Sequence, residues 1–539
     1  SAQQDAQSLQ AAISASVTDV DSTLTAVVER STLSGRDGDD AEDPATADLQ
    51  VMARDSTTTG LGGGALSVGG SKGVGATVAV GLIKSDTTAA IRGSQITQVN
   101  DVRVGAFDPT TMAAAAVAVS VSSGQSSSTG VSIAGSGAIN FVNTTTIAEI
   151  TDAPAAGGQP KVRSSITADG DISVVASDQV TTQAQAAFNA AYAAHAAGAP
   201  RGEADADVGE DRSDFGAGFL ANQTSDGQTN ISAQREVPEG ETDDNNPAVT
   251  WDTSRAGSLM IAVTGTGVGQ GNGAGVGVSV SVSEKSHIAR AYDADLSAST
   301  LDIAAKASTL AVDVAVGAAV STDNSNFSGV GSAAATSNGN VTEARLGKSG
   351  TTTTVNLSST ADDALKVRAE DDTQNWTVAG NVAVNVQSGA AIGLALGVSE
   401  SNARTEAIVE RATVTNEGGN QVTASSDADF FTLAISGGYA AGVALNGSVT
   451  YDDIATATKA EVRDGSHLTG TGLSILAGDT SADGTESSRI FSLAGTGAKG
   501  GTAIGAGINI NIIRMSNQAL MSDSTFNIGS GGILQRARS

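Results

Sequence analysis

Apolar and polar residues alternate along most of this chain, and the alternation is organised by a recurring seven-residue tag, aliphatic-x-aliphatic-x-Ala-x-Asp. Two-residue alternation is typical of half-buried β-strands, so each tag is predicted to be a strand. The clear copies are at 49–55, 102–108, 172–178, 301–307, 365–371 and 473–479, and weaker copies are at 420–426 and 533–539.

The tag alanines measure the length of the repeating unit. They lie at 53, 106, 176, 305, 369, 424, 477 and 537, which gives steps of 53, 70, 129, 64, 55, 53 and 60 residues. A period of this length is typical of stacked repeat arrays. The step of 129 residues is interpreted as about two units.

A second element precedes each tag and supports the same period. Its pattern is Ala-x-aliphatic-x-x-small-x-aliphatic, as at 89–96, 407–414 and 519–526. Longer alternating stretches of small residues lie ahead of it, as at 112–124 and 273–284. The predicted fold is therefore all-β: a repetitive β-solenoid, like a parallel β-helix, with units of about 53–70 residues and one large acidic insertion.

Four regions are predicted along the chain. Residues 1–55 form an N-terminal degenerate repeat with an acidic loop, residues 56–196 and 251–539 form solenoid repeats, and residues 197–250 form the acidic insertion. The insertion lacks clean alternation, and its part between 201 and 246 holds twelve acidic and three basic residues. The alanine-rich stretch at 184–198 has helical propensity, but its position after a tag favours a strand.

Composition points to a thin core. The chain has 65 glycines among 539 residues and only 3% aromatic residues. Ordinary cores of this size bury many large apolar side chains. The buried surfaces here are expected to be lined by Ala, Val, Gly, Ser and Thr, which lets facing sheets approach closely.

Charge and cysteine content exclude several classes of partner and site. The net charge of −29 argues against nucleic acid, which is bound through basic surfaces, and against adsorption on an anionic bilayer. The absence of cysteine excludes disulfides and thiolate zinc sites. Neither a transmembrane span nor a signal peptide is visible in the sequence, and the chain is interpreted either as a mature fragment or as a segment cut from a longer protein.

Catalytic chemistry is not indicated. His195, His287 and His467 lie far apart, and ordinary strand positions explain them better than catalysis or metal binding. With no recognisable nucleophile and base, the chain is predicted not to be an enzyme.

Calcium is the one cofactor that the sequence raises, because hard oxygen donors are closely spaced in two acidic segments. The candidate ligands are Asp37, Asp39, Asp40, Glu42, Asp205, Asp207 and Glu210. A stacked ladder of the aspartates that end the tags is a further calcium hypothesis, and capping of backbone N–H groups at the strand end is the favoured interpretation. The nonapeptide calcium repeat is absent.

Taken together, the Gly/Ala/Val strands, the T-x-A-x-I-x-x-S-x-V element and the V-x-V-x-A-x-D tag resemble the repeats of leukotoxin-type filamentous adhesins and related giant surface proteins of Gram-negative bacteria. This resemblance covers most of the chain outside 197–250. It implies an extracellular, surface-displayed β-solenoid stalk or filament in adhesion or matrix, partnered by copies of itself, head to tail or laterally, or by host or matrix glycans. The alternative function is a polysaccharide-binding or polysaccharide-cleaving β-helix with an acidic groove.

The dimensions depend on coil size. With about 25 residues per coil and about 4.8 Å between strands, the chain would form a rod of about 100 Å. Whether one unit makes one large coil or two to three small ones stays open at this point. The open ends of such a stack expose unpaired strand edges, which favours continuation by another chain.

Overall fold

The fold is described from a computed structural model, which describes residues 9–35, 48–69, 72–122, 130–155, 159–178, 219–223, 229–233, 250–251, 256–323, 327–386, 389–478 and 488–538. These residues form strands and no helix. The strands are β1 (Leu9–Glu29), β2 (Thr32–Ser34), β3 (Leu49–Arg54), β4 (Thr58–Gly69), β5 (Lys72–Arg92), β6 (Gln95–Val99), β7 (Val102–Phe107), β8 (Thr111–Ser122), β9 (Gly130–Thr151), β10 (Ser164–Ala168), β11 (Ile172–Ser177), β12 (Phe219–Gln223), β13 (Thr229–Ala233), β14 (Thr250–Trp251), β15 (Ala256–Ala291), β16 (Ala294–Ala298), β17 (Leu301–Asp323), β18 (Phe327–Leu346), β19 (Thr353–Leu357), β20 (Leu365–Asn385), β21 (Ala390–Glu410), β22 (Ala412–Asn416), β23 (Asn420–Arg463), β24 (His467–Gly478), β25 (Arg489–Met521) and β26 (Thr525–Arg538).

The tags stack on one another as a parallel ladder in continuous register. Each tag alanine pairs with the alanine of the next tag, from Ala53 with Ala106 to Ala477 with Ala537. The alanines of the second element stack in the same way, from Ala89 to Ala519. The predicted all-β solenoid is therefore confirmed, and one tag unit makes one coil.

The interpretation of the 129-residue step as two units is wrong. Ala176 pairs directly with Ala305, so these two tags belong to adjacent coils. The additional residues are inserted within one coil, between β11 and β15. Three short strands of this region, β12 to β14, form a separate antiparallel sheet. Most of 197–250, and all of 184–198, lie outside the described residues.

Each coil has four segments in the same order. After the tag comes the first face, a ladder made of β4, β8, the first part of β15, the second parts of β17 and β20, the middle part of β23 and the first part of β25. The chain then returns along the second face, made of β1, β5, β9, the second part of β15, β18, β21, the last part of β23 and the second part of β25. A short ladder that includes β6, β10, β16, β19 and β22 leads to the next tag.

The corner between the second face and the short ladder is made by a single left-handed residue. Its φ is 49° at Arg30, 55° at Gly93, 51° at Asp293, 49° at Arg411 and 56° at Asp464. Glycine and aspartate tolerate this conformation better than most residues, whereas arginine does so at a cost. The same corner is therefore found in different coils, although no single residue type occupies it.

One end of the cross-section is an apolar lobe. Here the tags, the last residues of the second face and the short ladder enclose a continuous cluster that includes Val104, Ile91 and Ile96. Tag alanines such as Ala106 lie in the same cluster and are fully buried. Burying these apolar side chains supplies the main stabilisation of the stack.

The rest of the cross-section is a thin blade, in which the first and second faces pack against each other. Its interior is lined by small and polar residues, as expected from the composition. The side chains bond across the gap: Ser132 Oγ donates to the Ser120 carbonyl at 2.7 Å, and the Thr336 and Thr377 hydroxyls lie 2.8 Å apart. Buried polar groups are tolerated where they find partners in this way.

The predicted rod of about 100 Å is wrong, because it assumed about 25 residues per coil. Each coil uses 53 to 70 residues where no long insertion occurs. Eight stacked tags, at about 4.8 Å per step, give a height of only about 34 Å. The coils are therefore wide and the stack is short.

Ion pairs tie neighbouring coils together beside the apolar lobe. Glu149 in β9 accepts a hydrogen bond from Arg92 Nε in β5 at 2.7 Å and from Arg290 Nη2 in β15 at 2.7 Å. Its side chain is only 3% exposed. Glu410 bridges Arg345 and Arg463 similarly at 3.3 and 3.2 Å. Each carboxylate thus joins three successive coils.

We expect Glu149→Gln to lower the free energy of unfolding by about 2 kcal/mol, because two partly buried guanidinium groups lose their counter-charge. Thermal unfolding followed by circular dichroism measures the loss. Glu284→Gln, at an exposed position in β15, serves as the control and should change little. Equal effects of the two substitutions would show that the bridge does not hold the coils together.

Candidate functional site: the buried carboxylate ladder

The aspartates that end the tags form a column inside the fold. The backbone N–H groups of Asp55, Asp108 and Asp178 bond to the tags of successive coils, so the three residues stack on one another. The next coil has Ala307 in this column, and Asp371 pairs directly above it. Asp479 lies outside the described residues. Parallel stacking thus places carboxylates from different coils on one line.

The centre of this column is a buried ion pair. Lys285, on the second face of the same coil as Asp178, places Nζ 3.2 Å from Asp178 Oδ2. The Asp178 side chain is fully buried, and that of Lys285 is 3% exposed. Asp178 also accepts the backbone N–H of Ser308 at 2.8 and 2.9 Å. The predicted capping of a backbone N–H is confirmed at Asp178, although the amide belongs to the next coil.

At other aspartates of the column, the hydrogen-bond donors are hydroxyl and amide groups instead of a lysine ammonium group. Asp55 accepts hydrogen bonds from Thr57 at 3.0 Å and from Ser85 at 2.9 Å. Asp371 accepts one from Asn340 Nδ2 at 3.1 Å. These donors lie in the turn after the tag or across the interior on the second face.

His287 lies two residues beyond Lys285 and is fully buried. Its column on the second face is otherwise threonine in the neighbouring coils: Thr87, Thr146, Thr342, Thr405 and Thr458. Its Nε2 lies 4.0 Å from Asp178 Oδ2, and neither ring nitrogen has a hydrogen-bond partner among the described residues. His287 therefore lies on a strand, as predicted, and its side chain faces the interior.

Burial shifts the titration of this column. It raises the pKa of Asp108 to about 6, against the hydrogen bonds from Thr110 and Ser85. It raises the pKa of Asp371 to about 7, against the hydrogen bond from Asn340. Burial lowers the pKa of His287 to about 4, with Asp178 opposing the shift. Desolvation therefore outweighs the local partners at all three residues.

Lys285 supplies one fixed positive charge beside the stacked carboxylates. Within the described ranges, no three or more His, Cys, Asp or Glu residues are grouped as a metal site.

The predicted calcium ligands are not tested by this geometry. Asp37, Asp39, Asp40 and Glu42 lie outside the described residues, as do Asp205, Asp207 and Glu210. His195 also lies outside them, and His467 is exposed on β24, far along the stack from His287.

Sequence reasoning missed Lys285 and the position of His287, although a signal was present. Once the second elements are aligned on their alanines, Ala289 places His287 where Thr87 and Thr146 stand. The same alignment places Lys285 beside Thr144 and Asn340. Lys285 and His287 are ionisable, whereas the aligned residues of the neighbouring coils carry hydroxyl or amide groups. This difference in one coil was the signal in the sequence.

Among the depressions that the described residues form on the outer surface, two are shallow and open. One, of about 270 Å³, is lined by residues that include Asn402, Thr456 and Arg514. The other, of about 380 Å³, lies at the left-handed corners and is lined by Arg411, Asp464 and Asp523, among others. Neither reaches the buried column.

This fold defines the chain as a parallel β-solenoid protein with wide, four-segment coils. No protein-family model matches the chain, and no curated protein or solved structure matches it either. Among the described residues, no helix has the length and apolar character needed to cross a bilayer.

Proposed function

We propose that this chain is a structural module of a bacterial extracellular adhesin or filament, in which the solenoid acts as a rigid stalk or as the unit of a self-assembling fibre. The observation that supports this best is the unbroken register of the tag ladder from Ala53 to Ala537. A stack of this kind transmits force through every coil. Its most elaborate polar feature, the Asp178–Lys285 pair, is buried and has no access for a substrate.

The ends of the stack support continuation along its axis. Among the described residues, the outer edges of β25 and β26 have no paired strand, and neither do those of β1, β2, β3 and β4. Unpaired parallel edges are templates for further strands. Both ends share one cross-section, so a further coil of the same kind fits on either end.

A variant with charge at one end tests this proposal. Ile508 and Ile510 are exposed on the second face of the last coil, in the same columns as Ala15 and Val17 of the first. We expect the wild-type chain to form end-to-end polymers in sedimentation and electron microscopy. The double substitution Ile508→Asp and Ile510→Asp should abolish them, because it places carboxylates against the apolar Ala15 and Val17 of the next molecule.

The matched control places the same charges in the middle of the stack. Val278→Asp with Val280→Asp lies in the same two columns on the second face of an interior coil and should leave end-to-end growth intact. Wild-type particles that remain single rods at every concentration would contradict the filament proposal.

One observation favours a second function, the binding or cleavage of polysaccharide. Trp376, Phe431 and Phe491 stack on the first face with ring centroids 5.2 Å apart. Trp376 and Phe491 are about half exposed, and exposed aromatic rings are surfaces on which sugars stack. A change of tryptophan fluorescence on adding soluble glycans, lost in Trp376→Ala, would favour this function over the structural one.

A further inference from the structure

The outer surface of the first face is apolar over its whole central area. Large side chains exposed there include Leu66, Val117, Val316, Val382, Ile435 and Leu493, with exposed fractions between 37% and 67%. In the five columns of outward positions that start at Gly60 and end at Val68 in β4, the one charged residue among the described side chains is Lys499, at the margin. Contiguous apolar surfaces of this kind mark sites of association.

The size of this surface is sufficient for a stable interface. Seven strands at about 4.8 Å and about 12 residues at about 3.3 Å each give an area of about 1,300 Å². A standard interface buries about 800 Å² on each partner. The first face can therefore be covered by one protein-sized partner.

Glycines on this surface are not required by the fold of the chain itself. A Cβ atom added at Gly60, Gly64, Gly380 or Gly497 would meet no atom of the chain within 4 Å, and their φ angles are outside the left-handed region. Glycine weakens a strand when nothing requires it. Its presence at these positions indicates the close approach of something outside the chain.

Side-chain size differs between the two ends of the stack. In the first of the five columns it is small at Gly60 and Ala113 in the first coils and large at Phe431 and Phe491 in the last. In the fourth column it is larger at Leu66 in β4 than at Gly497 in β25, although Val382 in β20 is again large. The two gradients run in opposite directions on one surface.

We propose that this surface binds a second copy of the same chain, about a two-fold axis that runs along β17. Such an axis reverses the stack and keeps the columns, so the first coil of one copy faces the last coil of its partner. Gly60 then receives Phe491 of the other copy, and Ala113 receives Phe431.

The fourth column fits the same axis independently. Leu66 falls opposite Gly497, and Val119 falls opposite Gly437. At both ends of the stack large side chains meet small ones in the two columns, although the gradients are opposite. Nearer the axis Leu259 faces Trp376, and Ala318 lies close to the axis. The Asp429–Arg489 ion pair at one edge and Lys499 at the other supply the polar rim that interfaces have.

This inference rests on the proposed function, since a laterally paired rod is a structural unit, and its test must be independent of end-to-end growth. The full chain carrying Ile508→Asp and Ile510→Asp is therefore the background. Both substitutions lie on the second face, away from the proposed interface. Sedimentation equilibrium over a range of concentrations then reports lateral pairing alone.

We expect this background to form dimers, and Gly60→Val to raise the dimer Kd by about tenfold or more, because the added methyl groups collide with the partner's Phe491. Thermal stability of the monomer should not fall, since the space above Gly60 is empty within the chain. Adding Phe491→Ala to Gly60→Val should restore much of the affinity. Gly339→Val, an outward position on the second face whose nearest neighbour is Glu284 Cγ at 3.8 Å, is the control and should leave the Kd unchanged.

Other outcomes would overturn the proposal. A background chain that is monomeric at all concentrations excludes the dimer, even if the wild type forms filaments. A dimer that is insensitive to Gly60→Val, or not rescued by Phe491→Ala, excludes this axis. Phosphatidylcholine vesicles that bind the monomer through this face, without any dimer forming, would identify lipid as the partner instead.

Discussion

Replacing Lys285 by methionine is expected to lower the free energy of unfolding by about 3–5 kcal/mol at neutral pH, because it leaves Asp178 as a buried carboxylate without its counter-charge. Lys285 Nζ lies 3.2 Å from Asp178 Oδ2, and both side chains are almost fully inaccessible to water. Methionine preserves most of the aliphatic volume, so the effect reports charge rather than a cavity. Urea unfolding of the full chain measures it.

Two further variants isolate the pair. Asp178→Asn combined with Lys285→Met should lose much less than Lys285→Met alone, since the amide oxygen can still accept the Ser308 N–H. Lys306→Met breaks the partly exposed pair with Glu370, at 2.7 Å, and should cost no more than about 1 kcal/mol. Similar losses from Lys285→Met and Lys306→Met would show that the buried pair has no special role.

The second large effect is an increase in stability on mild acidification. Asp108 and Asp371 have pKa values of about 6 and about 7 in the folded chain, against an ordinary 3.8. Their stabilising contribution is complete below the ordinary value and is lost as the pH rises through 6 and 7. His287 acts in the opposite sense, because its pKa falls from 6.5 to about 4, and its contribution is lost as the pH falls between those values.

The two aspartates outweigh the histidine between pH 8 and pH 5. The chain is therefore expected to be about 2 kcal/mol more stable at pH 5 than at pH 8. Asp371→Asn should raise stability at pH 8 by about 3 kcal/mol and reduce the pH dependence, since the amide is neutral throughout. Asp108 and Asp313, whose pKa values burial also raises, keep the rest of it. Denaturant titrations at the two pH values measure both effects.

Asp86→Asn provides the comparison for this experiment, because Asp86 is partly exposed and its closest cation, Lys84, is 3.9 Å away. Its pH profile should match that of the wild type. A wild-type chain that loses stability steadily from pH 8 to pH 5 would contradict the assignment of raised pKa values to Asp108 and Asp371.

The repeat unit was predictable because the residues that define it, the tag alanines, stack on one another from coil to coil. Tag alanines such as Ala106 and Ala176 occupy a tight inner position in every coil, so the same residue type recurs and marks the period. The column of tag aspartates was also foreseen as one possibility. Both follow from parallel stacking, which places equivalent sequence positions on one line.

The coil size was not predictable, because the corners carry no common residue type. Equivalent left-handed corners are formed by Arg30, Gly93 and Asp293. The alternation of apolar and polar residues does not mark these positions. The long step between Ala176 and Ala305 was misread for a related reason: spacing alone does not distinguish a lost tag from an insertion within one coil.

The sequence also did not predict which of the two alternating sets of blade residues faces the interior. Alternation separates two sets of residues, but it does not say which set faces inward. In β20, Asn375 and Thr377 face the interior, whereas Trp376 and Val382 face outward. Only the packing of the first face on the second reveals that the larger apolar side chains lie outside.

Electron micrographs and electron diffraction of the concentrated full chain report directly whether the coils of this solenoid continue from one molecule to the next. We expect unbranched assemblies of constant width that grow along the stack, with a reflection at about 4.8 Å along their axis. Single particles with a height of about 34 Å at every concentration, and no such reflection, would contradict this expectation.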